Sequence, residues 1–408
     1  MQPTLDKLKD IPYPLTPIAE ITERIARLQA KLAAAGLDGA LVVQNVDLHY
    51  FSGTMQNAHL YIPAAGEAAL FVWKSLARAR HESPLRDVAP LRSPRDLPKL
   101  LAERGYTPAR IGLELDVLAV NQFRSYERAF ENVAFADCWP IIRSVRLVKS
   151  AWEVLQIERA GEISSAQISA VLNALHPGVT ELEAAAAGEY AGRILGHEYV
   201  VRMRGLNNDL DVGYASSGPT GAYSTGMLTC NGGLGLSPSH AQGASWRHIQ
   251  RGEPVLADFV GLYNGYLADQ TRTLCLGNLP ADLQRAYAAT VQMQNAMVAA
   301  MRPGVTAEEL FNIGTGLAAE LGYSENIQGY GEQQVNFIGH GVGLELNEWP
   351  AIARGVTEPL QPGMVIALEP KLAFPGVGMV GIENTWLITA GQPRRLTTLP
   401  EELACVPA

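Results

Sequence analysis

One stretch of this chain occurs twice. HPGVTELEAAAAGEYAGRILG, beginning at residue 176, returns as RPGVTAEELFNIGTGLAAELG at residue 302, an offset of 126 residues. Each copy opens with a turn-forming Pro-Gly, then a threonine with a glutamate three residues on: Thr180 with Glu183, and Thr306 with Glu309. That spacing is a capping box, in which the two side chains satisfy backbone N–H groups that a helix start leaves without partners. A capping box alone recurs by chance. The shared PGVT and the similar helical segment before each copy point instead to an internal duplication.

A duplicated unit predicts the same elements after each copy. RGEPVLADFVGLYNGYLADQTRT and PGMVIALEPKLAFPGVGMVGIENT both read as glycine, apolar strand, carboxylate, turn-rich connection, second strand and second carboxylate. Asp258 follows Gly252 by six residues and Glu369 follows Gly363 by six; Asp269 and Glu383 close the two units 11 and 14 residues later. Partners across an antiparallel hairpin face the same side. Two such hairpins bring two pairs of acids towards one pseudo-twofold axis.

The rest of the chain reads as a separate unit. Ile21, Ile25, Leu28 and Leu32 lie at helical spacing, ended by Gly36. Strands are expected at Ala40–Val43, in a hairpin at 60–62 and 69–73, and at 110–115, which makes residues 1–145 one α/β domain. The second domain, 146–408, opens on a long helix marked by Ile157, Ala160, Ser164, Ile168, Val171 and Leu175.

Composition narrows the function classes. Forty-one acidic against 32 basic residues give a net charge of −9, with no run of five Lys/Arg, so the electrostatic footprint of a nucleic-acid binder is missing. Cys138, Cys230, Cys275 and Cys405 are too scattered for a CxxC site, which fits a reducing compartment. The leading MQPTLDKLKDIPYP is too charged for a signal peptide, and no stretch approaches a membrane span. The expected location is the cytoplasm, away from any membrane.

Four converging carboxylates cannot all stay ionised in a partly buried site without a cation. A pair of divalent metal ions is the natural neutraliser, with bridging carboxylates and a water that the pair acidifies. His340, in FIGHGVGLELNEWP, would be the single nitrogen donor. A histidine on its own is more often simply packed, whereas beside four acids it completes a five-donor set of the kind that suits Mn, with Co, Fe or Zn as further options.

The order Asp258, Asp269 in LADQTRT, His340 in GHGVGLE, Glu369 in ALEP and Glu383 in GIENT resembles the pita-bread metallopeptidases. That family includes methionine aminopeptidase, aminopeptidase P and prolidase, together with the metal-free creatinase. LDGALVV followed by YFSGT resembles the creatinase-type N-terminal domain. The resemblance implies an α+β fold: a duplicated pita-bread C-terminal domain behind an α/β creatinase-type N-terminal domain that frames the pocket. It also implies a homodimer.

Carried over to this sequence, the resemblance makes Asp258 a ligand of one ion, Asp269 and Glu383 bridges, and His340 and Glu369 ligands of the other ion. Glu369 would also relay protons from water to the leaving amine. His240 matches an outer histidine lining the substrate site.

Two positions depart from the pattern. Asn347 stands seven residues after His340, where the peptidases usually have a second histidine; its amide donates a hydrogen bond but carries no proton. Gly381 stands two residues before Glu383, where aminopeptidase P and prolidase tend to have arginine. Arg272 and Glu348 are further polar candidates, for which structural roles such as a salt bridge between halves are favoured. Tyr223 sits in a Gly/Ser-rich loop that suits pocket lining and plain chain reversal equally.

The expected activity is cleavage of peptide bonds next to proline, as an Xaa-Pro dipeptidase or aminopeptidase acting on short peptides. The alternative is a C–N hydrolase or lyase acting on a small molecule on the same scaffold, with Asn347 and Gly381 marking an altered pocket. A silent binding module is disfavoured, because none of the five donors is missing.

Overall fold

The computed structural model describes residues 13–208, 210–226 and 229–407, and the chain divides into two compact units, 1–146 and 147–408. In the first, the helix Ile18–Ala34 buries Ile21, Ile25, Leu28 and Leu32, the stripe visible in the sequence. Six strands follow: β1 (Gly39–Val42), β2 (Ala58–Pro63), β3 (Ala69–Val72), β4 (Asp87–Pro90), β5 (Arg110–Leu113) and β6 (Ala134–Asp137). They form one mixed sheet in the order β4-β3-β2-β1-β5-β6. The expected hairpin is β2 and β3, paired antiparallel from Ala58↔Val72 to Tyr61↔Ala69. Leu41, Tyr61, Phe71, Ile111 and Tyr126 lie in one buried apolar cluster of this unit.

The second unit repeats itself. The helix Ala151–Ala174 leads to the helix Glu181–Ile194, and the helix Ala281–Ala300 leads to the helix Ala307–Glu320. Both shorter helices start on complete capping boxes, Thr180/Glu183 and Thr306/Glu309. Each pair has its own apolar core. Ile168, Val171, Ala184 and Ala185 meet Val255, Ala257 and Phe259 in the first half; Met293, Met297 and Leu310 meet Ile338, Ile366 and Leu368 in the second. The first helix lies so close on its sheet that a Cβ at Gly261 would stand 1.8 Å from the Ala160 carbonyl oxygen.

The first half holds β7 (Gly213–Ser217) and a long hairpin of β8 (Pro254–Tyr263) and β9 (Tyr266–Leu276). The second half holds β10 (Phe337–Gly341), β11 (Glu348–Ala353), β12 (Val365–Leu368), β13 (Lys371–Phe374), β14 (Gly378–Gly381), β15 (Asn384–Leu387) and β16 (Arg394–Arg395). The last described strand, β17 (Ala404–Val406), returns to lie parallel to β9, so the two main sheets run β17-β9-β8-β7 and β11-β10-β12-β15-β16.

The two carboxylate units are less alike than the sequence suggests. The first is one continuous hairpin, with Asp258 opposite Thr271 and Asp269 opposite Val260. The second divides. β12 pairs with β15, ending at Leu368↔Asn384, while β13 and β14 form a separate two-stranded sheet beginning at Lys371↔Gly381. Pro370, at the point of division, has no N–H to continue a ladder. Glu369 and Glu383 therefore sit where one hairpin becomes two sheets.

Candidate metal centre

Five elements deliver the acidic cluster. Asp258 and Asp269 lie on β8 and β9, two register steps apart and so on one face of the hairpin. His340 comes from β10, and Glu369 and Glu383 from the division between β12 and β15. The halves are joined at this place: Thr271 and Glu383 form an antiparallel bridge, and the Thr271 hydroxyl donates to Glu383 Oε2 at 2.7 Å. On the other side of the cluster, Asp269 N–H donates to Thr385 Oγ1 and the Thr385 hydroxyl donates to the Asp269 carbonyl, both at 2.9 Å.

His340 Nδ1 lies 3.1 Å from the Gly341 carbonyl oxygen. A carbonyl only accepts, so the proton is assigned to Nδ1 and the Nε2 lone pair faces the acids. Nε2 lies 3.8 Å from Asp269 Oδ2, 3.8 Å from Glu369 Oε1 and 4.0 Å from Glu383 Oε1.

Lys371, on the first position of β13, is the residue that sequence reasoning missed. Its Nζ lies 3.0 Å from Asp258 Oδ2, 2.9 Å from Glu369 Oε2 and 3.1 Å from Glu383 Oε2. The stem crosses Gly381, where a Cβ would be 2.4 Å from Lys371 Cγ. Burial works against the ammonium, but the carboxylates of Asp258, Glu369 and Glu383 outweigh it and hold the lysine pKa well above its ordinary value.

Around this pair of charges, Asn231 Nδ2 donates to Asp258 Oδ2 at 3.1 Å and to the Tyr214 hydroxyl at 2.6 Å. The Cys230 thiol, which burial keeps protonated, donates to Glu369 Oε2 at 3.6 Å.

One ammonium does not balance four carboxylates; four negative charges less one positive leave three. The like charges act on one another. Burial, then the charges of Glu383 and Asp258, push the Asp269 carboxyl well above the usual range. Burial raises Glu383 to about 8 in spite of Lys371.

Two buried oxygens of the cluster, Asp269 Oδ1 and Glu383 Oε1, have no hydrogen-bond partner among the described residues. Asp269, His340 and Glu383 each offer a donor atom within 4.8 Å of the others. Orphaned carboxylate oxygens, a correctly presented imidazole nitrogen and surplus negative charge are what a divalent cation requires, so these residues fit one.

The cavity over the acids is lined by Met203, Tyr214, Gln242, Phe337 and Asn347 as well as by the cluster. Asn347 is exposed there. His240 is not brought to the acids. It is half-exposed, pairs with Asp211 at 2.8 Å, and lines an adjoining recess, while Gln242 from the same loop reaches the acidic cavity. Tyr223, also half-exposed, lines neither recess.

Arg272 and Glu348 have the structural roles expected of them. Arg272 is buried and donates to the carbonyls of Thr271, Glu383, Leu399 and Pro400 and to Asn384 Oδ1. Glu348 pairs with Lys149 at 2.9 Å and accepts from the Leu344 and Glu345 N–H groups.

Comparison with known proteins agrees with this architecture. The family model for metallopeptidase family M24 matches residues 156–390, and that for the creatinase/prolidase N-terminal domain matches residues 24–148. The chain is 30% identical over 383 residues to the Xaa-Pro dipeptidase of Pyrococcus furiosus, covering 93% of this chain and 99% of the relative. Among solved structures, the prolidase from Pyrococcus horikoshii OT3 superposes with a TM-score of 0.79 at 28% identity, covering 93% of this chain and 99% of that one. Dipeptidase PepE from Mycobacterium ulcerans does so with a TM-score of 0.79 at 28% identity, covering 97% and 100%.

Proposed function

The chain belongs to metallopeptidase family M24 and is a metal-dependent peptidase, and from that premise we propose that it is an Xaa-Pro dipeptidase or aminopeptidase of short peptides. The observation that carries the reading is the meeting of Asp269, His340, Glu369 and Glu383, drawn from both halves, with two buried carboxylate oxygens left without partners. We assign hydrolysis to residues 146–408 and the creatinase-type domain to 1–145, in keeping with the two compact units.

In this reading Asp269, His340, Glu369 and Glu383 would hold the metal, whereas Asp258, expected as a fifth ligand, has its Oδ2 engaged by the Lys371 ammonium and the Asn231 amide. Oxygen donors with one imidazole suit Mn(II). When bound, a divalent ion supplies Lewis acidity, polarising the scissile carbonyl and lowering the pKa of water.

The protein's own groups do the rest. Glu369 takes the proton from the attacking water and gives it to the leaving proline nitrogen, a relay that needs a carboxylate at the edge of the cavity. The exposed amide of Asn347 donates to the carbonyl oxygen as negative charge develops on it. The homodimer rests on the family likeness. A cytoplasmic location is in keeping with the free thiols of Cys138, Cys230 and Cys275, all buried. Among the described residues no helix is long and apolar enough to cross a membrane. The C–N hydrolase or lyase reading is not favoured by these relatives.

The test is a panel of Xaa-Pro and non-proline dipeptides and tripeptides assayed with Mn, Co, Fe and Zn. Preferential cleavage before proline is expected. Bound metal with every peptide inert would return the small-molecule alternative to first place.

A further inference from the structure

The sequence leads to an expectation of two ions, yet one of the two cation positions among the acids is taken by a side chain. We propose that the Lys371 ammonium is a built-in substitute for the second ion, and that the centre binds a single divalent metal held by Asp269, His340, Glu369 and Glu383. The inference rests on the metallopeptidase reading and refines its stoichiometry.

The argument is one of space and charge. Lys371 Nζ touches Asp258 Oδ2, Glu369 Oε2 and Glu383 Oε2 at 2.9 to 3.1 Å. The oxygens it does not touch are Glu369 Oε1, Glu383 Oε1 and Asp269 Oδ2, which lie 3.8 to 4.0 Å from His340 Nε2, together with Asp269 Oδ1 and Asp258 Oδ1. Three carboxylate oxygens are thus bonded to the ammonium and three others face the imidazole, with Glu369 and Glu383 contributing one oxygen to each set.

Paired ions in hydrolases stand about 3.5 to 4 Å apart and share bridging carboxylates, and carboxylate oxygens bind metals such as zinc at about 2.0 to 2.2 Å. A second ion bound through Asp258 Oδ2 and Glu383 Oε2 would need the two oxygens that Nζ already bridges.

The lysine has little freedom to leave. Its N–H donates to Gln328 Oε1 at 2.8 Å, its carbonyl accepts from Gln328 N–H at 2.9 Å, and its side chain is buried. Opposite it in the β13–β14 register stands Gly381, whose missing Cβ is what lets the stem through. The glycine at 381 and the lysine at 371 are one arrangement: any side chain at 381 would collide with the stem that carries the ammonium to the acids.

The experiment counts ions. Metal-free full-length protein is equilibrated with excess Mn(II), and bound metal per chain is measured by mass spectrometric elemental analysis, with the electron paramagnetic resonance spectrum recorded alongside. One ion per chain, with the spectrum of isolated Mn(II), is expected for the wild type. Lys371→Ala is expected to take up a second ion and to show the broadened signal of a coupled pair.

Two ions in the wild type would overturn the inference and leave the peptidase reading standing. No bound ion would overturn both. Lys371→Ala still saturating at one ion would show that the lysine is not what excludes the second. Should that variant fail to fold, the wild-type count and spectrum decide the matter without it.

Discussion

A Cβ at Gly381 would stand 2.4 Å from Lys371 Cγ. Residue 381 therefore sets the path by which the lysine reaches Asp258 and Glu369. Gly381→Ala is expected to destabilise the protein by about 1–3 kcal/mol, the usual cost of overpacking a close contact. Placed on a Lys371→Gly background, the same alanine should cost much less. A double-mutant cycle measured by chemical denaturation reads the coupling, and simple additivity would mean that the two residues do not share one space.

Glu369→Ala should lower kcat by about 10²- to 10⁴-fold, the range over which a positioned acid–base group acts. Asp269→Ala should lose bound metal and activity together, because one of its oxygens is among the two left without a partner. Elemental analysis beside steady-state kinetics checks both. Turnover by either variant at the parent rate would remove the assigned role.

Asn347→Ala should cost about 10²- to 10³-fold in kcat if its amide meets the developing oxyanion, with KM little changed. His240→Ala should leave kcat near the wild-type value, since His240 pairs with Asp211 outside the acidic cavity. The reverse ranking of these two variants would restore the histidine as the substrate-facing group.

Removing the metal with a chelator should lower the thermal midpoint as well as activity. A ligand at a hundred times its Kd adds about 2.7 kcal/mol to the folded state. Differential scanning calorimetry with and without Mn(II) tests this, and an unchanged midpoint would mean that the acids grip no ion.

The first unit carries its own pH response. Burial lowers the His59 pKa from 6.5 to about 4, and its Nε2 lies 2.8 Å from the Tyr126 hydroxyl. Above pH 6.5 the ring is neutral in folded and unfolded chains alike and contributes no slope. Between pH 6.5 and 4 the unfolded chain takes up a proton that the folded one refuses, so stability falls as pH falls, by about 3 kcal/mol in all. The stability difference between wild type and His59→Phe should track that loss over this window in denaturation series. A difference independent of pH would show that the buried ring takes up its proton as readily in the fold as in the unfolded chain.

Much of the centre was legible in the sequence because its donors lie inside a repeated pattern. The spacing from Gly252 to Asp258 and from Gly363 to Glu369, and the two capped helices, mark two like units in the sequence itself. Lys371 escaped for a physical reason: one lysine two residues past a glutamate reads as an ordinary strand position, and only hairpin register sets it opposite Gly381. The trace was present, since a cation expected at position 381 was absent while another stood across the turn. The roles of Cys230, Asn231 and Gln242 left no such trace, because a Gly/Ser-rich loop has no period from which a direction can be read. The division of the second hairpin was signalled by Pro370, whose missing N–H the simple strand-turn-strand reading passed over.

The bridge between Thr271 and Glu383 also has a bearing on time. The cluster's donors are scattered from residue 258 to residue 383, so its closure belongs to the slow, long-range part of folding. On the ribosome, Asp258 and Asp269 emerge long before His340, Lys371 or Glu383, and a nascent chain carries half a cage until β15 arrives. The full set of donors exists only once β15 has been made, so the peptidase centre is completed by the second half of the chain.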